Sequence, residues 1–130
     1  MPRVYIVEPQ TIFGPEVQRI VGEAGGTIAA INPLLDLDDI IQARPDVVLL
    51  DLDYTDYEPA EVLDALREEA PAVRPIVLTS EREHGRLDRF RASGAASVVS
   101  KSADDAEVIR DLRVILSGGS IWDQRVEAAA

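Results

Sequence analysis

The chain has 130 residues, 13 of them Lys or Arg and 24 Asp or Glu, with a formal net charge of −11 and no cysteine. This length suits one domain, and its 46% hydrophobic content is enough to bury a core without disulfides or structural metals. So acidic a domain repels nucleic acid phosphates, and no apolar run suits a membrane span or a signal peptide, so we expect a cytoplasmic protein that contacts neither nucleic acid nor membrane directly.

Short β-branched runs alternate with amphipathic stretches along the chain, a pattern typical of a parallel α/β sheet. The predicted strands run from Arg3 to Val7, Thr27 to Ile31, Asp46 to Leu50, Pro75 to Thr79 and Ala96 to Val99. The run Val47 to Leu50 is apolar at every position, as expected of a central strand covered on both faces.

Five helices fit between and after these strands. The first begins near Pro15, a second is capped by Asp36 or Asp38, and the third begins at Pro59. A fourth, about 82–92, is interrupted by Gly85, and a fifth, about 103–116, has Ser102 as its expected cap. The order predicts a doubly wound, five-stranded parallel sheet over residues 1–119, followed by a tail or linker over residues 120–130.

Ligands of such sheets bind at the carboxyl ends of the strands, where this sequence places Glu8, Asp51, Thr79 and Lys101. Each residue alone has an ordinary structural explanation as a loop acid, a cap or a solvated charge. Together they form a coherent set, because a carboxylate can attack phosphorus and form an acyl phosphate. Mg²⁺, a lysine and a hydroxyl would then bind the phosphoryl oxygens.

Other catalytic constellations have little support in the sequence. No glycine-rich phosphate loop follows the first strand, where the chain continues from Glu8 to Ile12. Since His84 is the only histidine and cysteine is absent, neither a zinc site nor a histidine-based nucleophile relay is expected.

Three stretches carry a resemblance to a known family: Pro45 to Asp53, Pro75 to Ser80 and Gly94 to Lys101. They resemble the receiver domains of two-component response regulators, and the resemblance spans nearly the whole chain. It implies a flavodoxin-like (βα)5 fold and a signalling domain that is not itself an enzyme.

The resemblance also implies a role for each residue of the set. Asp51 would be the phosphoacceptor for the phosphohistidine of a histidine kinase, Thr79 the switch hydroxyl and Lys101 the phosphate-binding cation. Glu8 and Asp51 would bind Mg²⁺ through their side chains, and Asp53 through its backbone carbonyl.

Within the family the chain looks most like the NarL/LuxR branch. Val7 to Phe13 resembles the acidic loop of that branch, and Ser117 to Asp123 resembles the segment that leads to its helix-turn-helix domain. The resemblance implies a homodimer that regulates transcription and contacts DNA only through such a further domain. The chain is either a stand-alone receiver or part of a longer regulator, and we favour the second.

The sequence departs from the family pattern at three places. Pro9 replaces the second acid of the acidic pair, the loop 53–59 lacks the usual Met-Pro and later Gly, and Val98 stands where an aromatic switch residue is usual. We therefore expect weakened Mg²⁺ binding. If the loop folds inward, Asp53, Asp56 or Glu58 would replace part of the lost charge; Asp53 would equally repel the phosphoryl group.

These observations leave two hypotheses open. The first, slightly favoured because Asp51, Thr79 and Lys101 are all present, is a receiver that is phosphorylated on Asp51. The second is an atypical receiver that acts as a phosphorylation-independent interaction and dimerisation module. An unrelated flavodoxin-like enzyme is disfavoured, because the sequence has no cofactor loop.

The region of the fourth helix is locally basic, with arginines at positions 82, 86, 89 and 91. One interpretation is a solvated helix face balanced by neighbouring acids. The alternative is a dimer contact with the acidic start of the fifth helix, at Asp104 and Asp105.

Overall fold

The computed structural model describes residues 1–53, 56–80, 84–101 and 104–122, with the backbone alone at residues 84–86. Strands and helices alternate along it in the predicted order. The strands are β1 (Arg3–Val7), β2 (Thr27–Asn32), β3 (Val47–Asp51), β4 (Arg74–Thr79) and β5 (Ser97–Ser100). The helices are α1 (Gly14–Glu23), α2 (Leu37–Ala43), α3 (Pro59–Glu69), α4 (His84–Ala92) and α5 (Asp105–Leu116).

The five strands form one parallel sheet in the order β2-β1-β3-β4-β5. The direction of winding reverses between β1 and β3, which are neighbours, and this reversal creates the crevice where doubly wound sheets bind ligands. All carboxyl ends meet at one edge of the sheet, where Asp51 pairs with Leu78 and Thr79 pairs with Ser100. The predicted fold class is confirmed.

β3 is buried at all of its positions, as its continuous apolar run predicts. Because successive side chains point to opposite faces, Val48 and Leu50 join one core cluster while Val47 and Leu49 join another. The first cluster packs α2, α3 and α4 against the sheet, and the second packs α1 and α5. The central strand is therefore held from both sides, and this fixes Asp51 at its end.

Strand pairing shifts several predicted boundaries by one residue. β3 begins at Val47 and includes Asp51, because the ladder with β4 continues to the pair Asp51–Leu78. Asp46 lies before the strand and accepts a hydrogen bond from the Arg3 backbone amide at 2.8 Å. Likewise β5 runs over Ser97–Ser100, one residue later than predicted.

Two helix starts are set by side-chain caps. Of the two candidates for α2, Asp36 is the cap, since its carboxylate accepts the Asp39 backbone amide at 3.0 Å. Asp104 caps α5 by accepting the Glu107 amide at 2.9 Å, so that helix begins later than predicted. The expected cap Ser102 lies outside the described residues.

α4 contradicts one expectation, because it continues through Gly85 without interruption. Its buried residues Leu87 and Phe90 belong to the first core cluster, and this packing offsets the low helix propensity of glycine. In the described part of the chain, no helix combines the length and apolar character needed to cross a bilayer.

The segment after α5 stays against the domain up to residue 122, although the sequence predicts a tail from Ser120. The Val98 backbone amide donates to the Ile121 carbonyl at 3.1 Å, and Trp122 forms an isolated parallel bridge with Val98. The Arg91 guanidinium lies 3.9 Å from the centroid of the Trp122 ring. Residues 121–122 thus cover part of the β5 edge, and residues 123–130 lie outside the description.

Candidate functional site

The carboxyl edge of the sheet brings together the four residues that the sequence singles out. Glu8 follows β1, Asp51 ends β3, Thr79 ends β4 and Lys101 follows β5. Glu8, Asp51 and Thr79 are 3%, 5% and 4% exposed, so these polar groups lie in the protein interior and need partners there.

An ion pair between Asp51 and Lys101 lies at the centre of the site. The Lys101 Nζ atom is 2.6 Å from Asp51 Oδ2, and the Asp53 backbone amide donates to Asp51 Oδ1 at 3.1 Å. Burial alone would lower the pKa of Lys101, but the carboxylates of Asp51 and Asp53 outweigh it and raise that pKa above its ordinary value. The lysine therefore stays charged beside the carboxylate.

The Asp53 side chain turns into the site. Its Oδ1 accepts from Thr79 Oγ1 at 3.2 Å, and its Oδ2 accepts from the Ser80 amide at 3.0 Å and the Ser80 hydroxyl at 2.8 Å. Lys101 Nζ lies 3.2 Å from the same Oδ2. Burial favours the neutral acid, yet the Ser80 hydrogen bonds and the Lys101 charge hold the pKa of Asp53 below its ordinary value.

Ser80 is a residue of the site that the sequence reasoning missed. It follows Thr79 directly at the end of β4, and that position was the available signal. The resemblance gave Asp53 only a backbone role, whereas its carboxylate lies among these donors.

Glu8 lacks the donors that surround the Asp53 carboxylate. Burial, followed by a hydrogen bond and charge repulsion from Asp51, raises the pKa of Glu8 to about 8. Its Oε2 atom is buried and has no hydrogen-bond partner among the described residues. A proton on Glu8 relieves the repulsion from Asp51, and a cation placed between the two carboxylates would do the same.

The donors at this position suit a hard divalent cation in part. Two adjacent carboxylates and an unpartnered buried oxygen match the oxygen ligands of Mg²⁺. Across the residues that the structure describes, however, no three acidic, histidine or cysteine side chains are grouped as metal ligands. Asp53 is directed to Ser80 and Lys101 instead, so the pair Glu8–Asp51 is the part of the site that fits the ion.

An open cavity of about 590 Å³ leads from solvent to this edge. Gln10, Phe13 and Leu78 line it together with Asp51 and Lys101. The volume lies within the range of small-molecule sites, so it admits a small phosphate donor or a phosphoryl group.

Two further departures from the family pattern, Pro9 and Val98, lie in different parts of the domain. Pro9 follows Glu8 in the loop after β1 and supplies neither a charge nor an amide donor. Val98 is 2% exposed in the first core cluster, where the partly buried ring of Trp122 packs against the same cluster.

Comparison with known proteins adds curated relatives. No protein-family model matches the chain. It is 33% identical over 116 residues to the DNA-binding transcriptional activator DevR/DosR of Mycobacterium tuberculosis. This match covers 88% of this chain and 50% of that protein. It is 24% identical over 107 residues to the response regulator protein VraR of Staphylococcus saprophyticus. This match covers 82% of this chain and 48% of that protein. The chain spans about half the length of these relatives.

Solved structures support the same fold. A LuxR-family two-component response regulator from Aurantimonas sp. SI85-9A1 superposes with a TM-score of 0.84 at 21% identity, covering 98% of this chain and 94% of that one. The signal receiver domain of the putative response regulator NarL from Mycobacterium tuberculosis gives 0.76 at 22% identity, covering 90% and 97%. These likenesses establish the flavodoxin-like receiver fold.

The fold and the relatives together define the family. The chain is a receiver domain of the LuxR/NarL-type response regulators of two-component systems. A further relative, the protein-glutamate methylesterase/protein-glutamine glutaminase 1 of Anaeromyxobacter dehalogenans, is 30% identical over 80 residues, which is 22% of that protein. So short a match does not transfer the esterase activity to this chain.

Proposed function

We propose that this receiver domain accepts a phosphoryl group on Asp51 from the phosphohistidine of a histidine kinase. The observation that supports it best is the Asp51 carboxylate, which is buried at the end of the central strand with Lys101 Nζ 2.6 Å away, and both residues line an open cavity. ATP-dependent kinases make this phosphodonor in the cytoplasm, so we place the domain there.

The transfer forms one bond and breaks one. An Asp51 carboxylate oxygen forms a P–O bond while the P–N bond of the phosphohistidine breaks, and the leaving imidazole nitrogen takes a proton. The protein's part is positioning and charge neutralisation rather than further covalent chemistry. Lys101 and the Thr79 hydroxyl are the groups that would bind the transferred oxygens.

Mg²⁺ would be held by the carboxylates of Glu8 and Asp51 and by the backbone carbonyl of Asp53. When bound, the ion neutralises charge on the phosphoryl oxygens. The raised pKa of Glu8 favours its protonated form, so Mg²⁺ binding at Glu8 would compete with that proton. Because Pro9 supplies no second acid, we expect weaker Mg²⁺ binding than three side-chain carboxylates would give.

We propose that the output is a change in homodimerisation, transmitted to DNA by a separate helix-turn-helix domain. The curated relatives are about twice the length of the matched region, and one is named as a DNA-binding activator. The net charge of −11 supports a route to DNA that does not use this domain.

The predicted dimer contact at the start of α5 loses support. Asp104 is used as the cap of α5, and Asp105 lies 2.8 Å from Arg19 of α1 within the same chain. On the basic side, Arg91 lies over Trp122, while the side chains of residues 82 and 86 are outside the description. We therefore leave the dimer surface unassigned.

Intact-mass measurement tests the proposed phosphorylation. The protein is incubated with acetyl phosphate and Mg²⁺, beside an Asp51→Asn variant. We expect one added phosphate on the wild type and none on the variant. Absence of the adduct on the wild type, or an equal adduct on both proteins, would overturn the proposal.

One observation favours the second hypothesis, an atypical receiver that does not use phosphate. The Asp53 carboxylate already accepts hydrogen bonds from Thr79 and Ser80, so these groups are occupied without a phosphoryl group. Two measurements separate the candidates. Mg²⁺ binding that disappears in Asp51→Asn supports the phosphoacceptor function. Dimerisation that is unaffected by Asp51→Asn and by phosphate supports the atypical receiver.

A further inference from the structure

The Asp53 carboxylate collects the donors at the phosphoryl end of the site. It accepts from the Thr79 hydroxyl at 3.2 Å, from the Ser80 amide at 3.0 Å and from the Ser80 hydroxyl at 2.8 Å. Lys101 Nζ is a fourth partner at 3.2 Å. An anion that accepts two hydroxyls, one amide and one ammonium occupies the kind of environment that a phosphoryl group needs.

These donors lie next to the phosphoacceptor. Lys101 contacts both acids, at 2.6 Å from Asp51 and 3.2 Å from Asp53, so one ammonium is shared between the two carboxylates. A phosphoryl group on Asp51 would bring three more oxygens to the same place. It would meet donors already used by Asp53, and a like charge beside them.

We propose that the Asp53 carboxylate is a built-in occupant of the phosphoryl-binding donors and must leave them when Asp51 is phosphorylated. This inference rests on the proposed function and assigns Asp53 a positioning role that the resemblance does not give it. Asp53 orients Thr79 and Lys101 in the resting protein and slows the entry of the phosphoryl group.

Replacing Asp53 by Asn separates this role from a structural one. The amide keeps the size of the side chain and leaves the backbone carbonyl and amide in place, but it removes the charge and weakens the hold on Lys101 and Ser80. A residue that only supports the loop would leave the rate unchanged or lower it when replaced. If Asp53 instead competes with the phosphoryl group for these donors, its replacement raises the rate of phosphorylation.

The experiment compares the wild type with Asp53→Asn, Asp53→Ala and a control, Asp56→Asn. Asp56 is an exposed acid of the same loop, so this control removes the same charge without touching the donors. The initial rate of phosphorylation by acetyl phosphate with Mg²⁺ is followed by intact mass. Binding of beryllofluoride, a phosphoryl mimic, is measured by fluorine NMR. The Ser80 amide signal is recorded without phosphate.

We expect Asp53→Asn to raise both the initial rate and the beryllofluoride affinity by about tenfold, which corresponds to ~1.4 kcal/mol. The Ser80 amide signal should move in both Asp53 variants without any ligand. Asp56→Asn should match the wild type in all three measurements. Asp53→Ala guards against a misfolded Asn variant, because a faster rate in either one supports the inference.

Two failures are distinguishable. If the wild type is phosphorylated on Asp51 but neither Asp53 variant exceeds Asp56→Asn in rate or affinity, the inference is overturned and the proposed function stands. If no protein in the series takes up phosphate or beryllofluoride, the proposed function fails and the inference fails with it.

Discussion

Two acidic sites lie side by side at the carboxyl edge of this sheet, and burial affects both. Burial, followed by the neighbouring Asp51 carboxylate, raises the pKa of Glu8 to about 8, and Glu8 Oε2 has no hydrogen-bond partner among the described residues. Burial also opposes ionisation of Asp53, but the Ser80 donors and Lys101 overcome it and hold the pKa of Asp53 below its ordinary value.

The difference shows that the supply of donors, rather than depth in the protein, sets the charge state of each acid. Asp51 has the Lys101 ammonium, but Glu8 lacks a donor for one oxygen and gains from a proton or a cation. Asp53 is already satisfied and gains nothing from an added ligand. A phosphoryl group and its Mg²⁺ would therefore meet one receptive acidic site and one that is already filled.

The largest expected effect comes from removing the cation that both sites share. Lys101→Met leaves the buried Asp51 and the partly buried Asp53 without their ammonium. We expect the free energy of unfolding at neutral pH to fall by about 2 kcal/mol, since Lys101 is itself partly exposed. Urea unfolding followed by the fluorescence of the single Trp gives the value. Lys101→Arg is the control and should lose less. Equal losses would show that packing, not charge, matters there.

The second test uses pH to separate the two acids. Because the pKa of Glu8 rises from 4.5 to about 8 on folding, the folded protein binds more protons than the unfolded chain between these values. We therefore expect stability without divalent ions to fall as pH rises through that window. Glu8→Gln should flatten this dependence, and Asp53→Asn should change it much less, because Asp53 is the smallest contributor to the Glu8 shift. Thermal melts across the pH range give the result.

Mg²⁺ addition completes that pH test. At the alkaline end of the window the wild type should gain thermal stability from Mg²⁺, because the ion replaces the lost proton. Glu8→Gln should gain less. A pH dependence that survives unchanged in Glu8→Gln would contradict the assignment of the raised pKa to Glu8.

A smaller loss of stability is expected at Asp53, whose carboxylate already has its hydrogen-bond donors. Ser80→Ala removes one hydroxyl donor from Asp53 and keeps the amide, so we expect a loss of about 1 kcal/mol in the free energy of unfolding. The matched control is Ser117→Ala, whose hydroxyl donates to a neutral carbonyl, that of Arg113. If Ser80→Ala lost no more than this control, Asp53 would not depend on that donor.

The smallest effect belongs to the surface. Arg19 contacts Glu16, Glu23 and Asp105, but this cluster is exposed and screened by water and salt. Arg19→Gln should change stability less than Ser80→Ala does, and added salt should reduce the difference further. If Arg19→Gln lost as much stability as Lys101→Met, burial would not be the reason that the Lys101 ion pairs contribute more.

Much of the fold could be predicted because local pattern and burial agree. The continuous apolar run of β3 and the Pro59 start of α3 predicted elements that the structure contains. The exact limits could not be predicted, because ladder pairing decides where β3 ends. The expected break at Gly85 was wrong for a related reason: packing of Leu87 and Phe90 outweighs the propensity of one residue.

For the site, position along the chain was enough to name four of the groups that lie together. A parallel sheet collects the residues that follow its strands at one edge, and so Glu8, Asp51, Thr79 and Lys101 could be named from their positions alone. Their roles in phosphoryl transfer stay predictions until phosphorylation is measured.

How these groups pair with one another became known only from the folded arrangement of their side chains. No local pattern tells that the Asp53 carboxylate points to Ser80 and Lys101 while Glu8 lacks a donor for one oxygen. Such pairing depends on side-chain directions across four separate strand ends. Charge states in a buried site follow from those directions, and so the contrast between the two acids belongs to the folded protein.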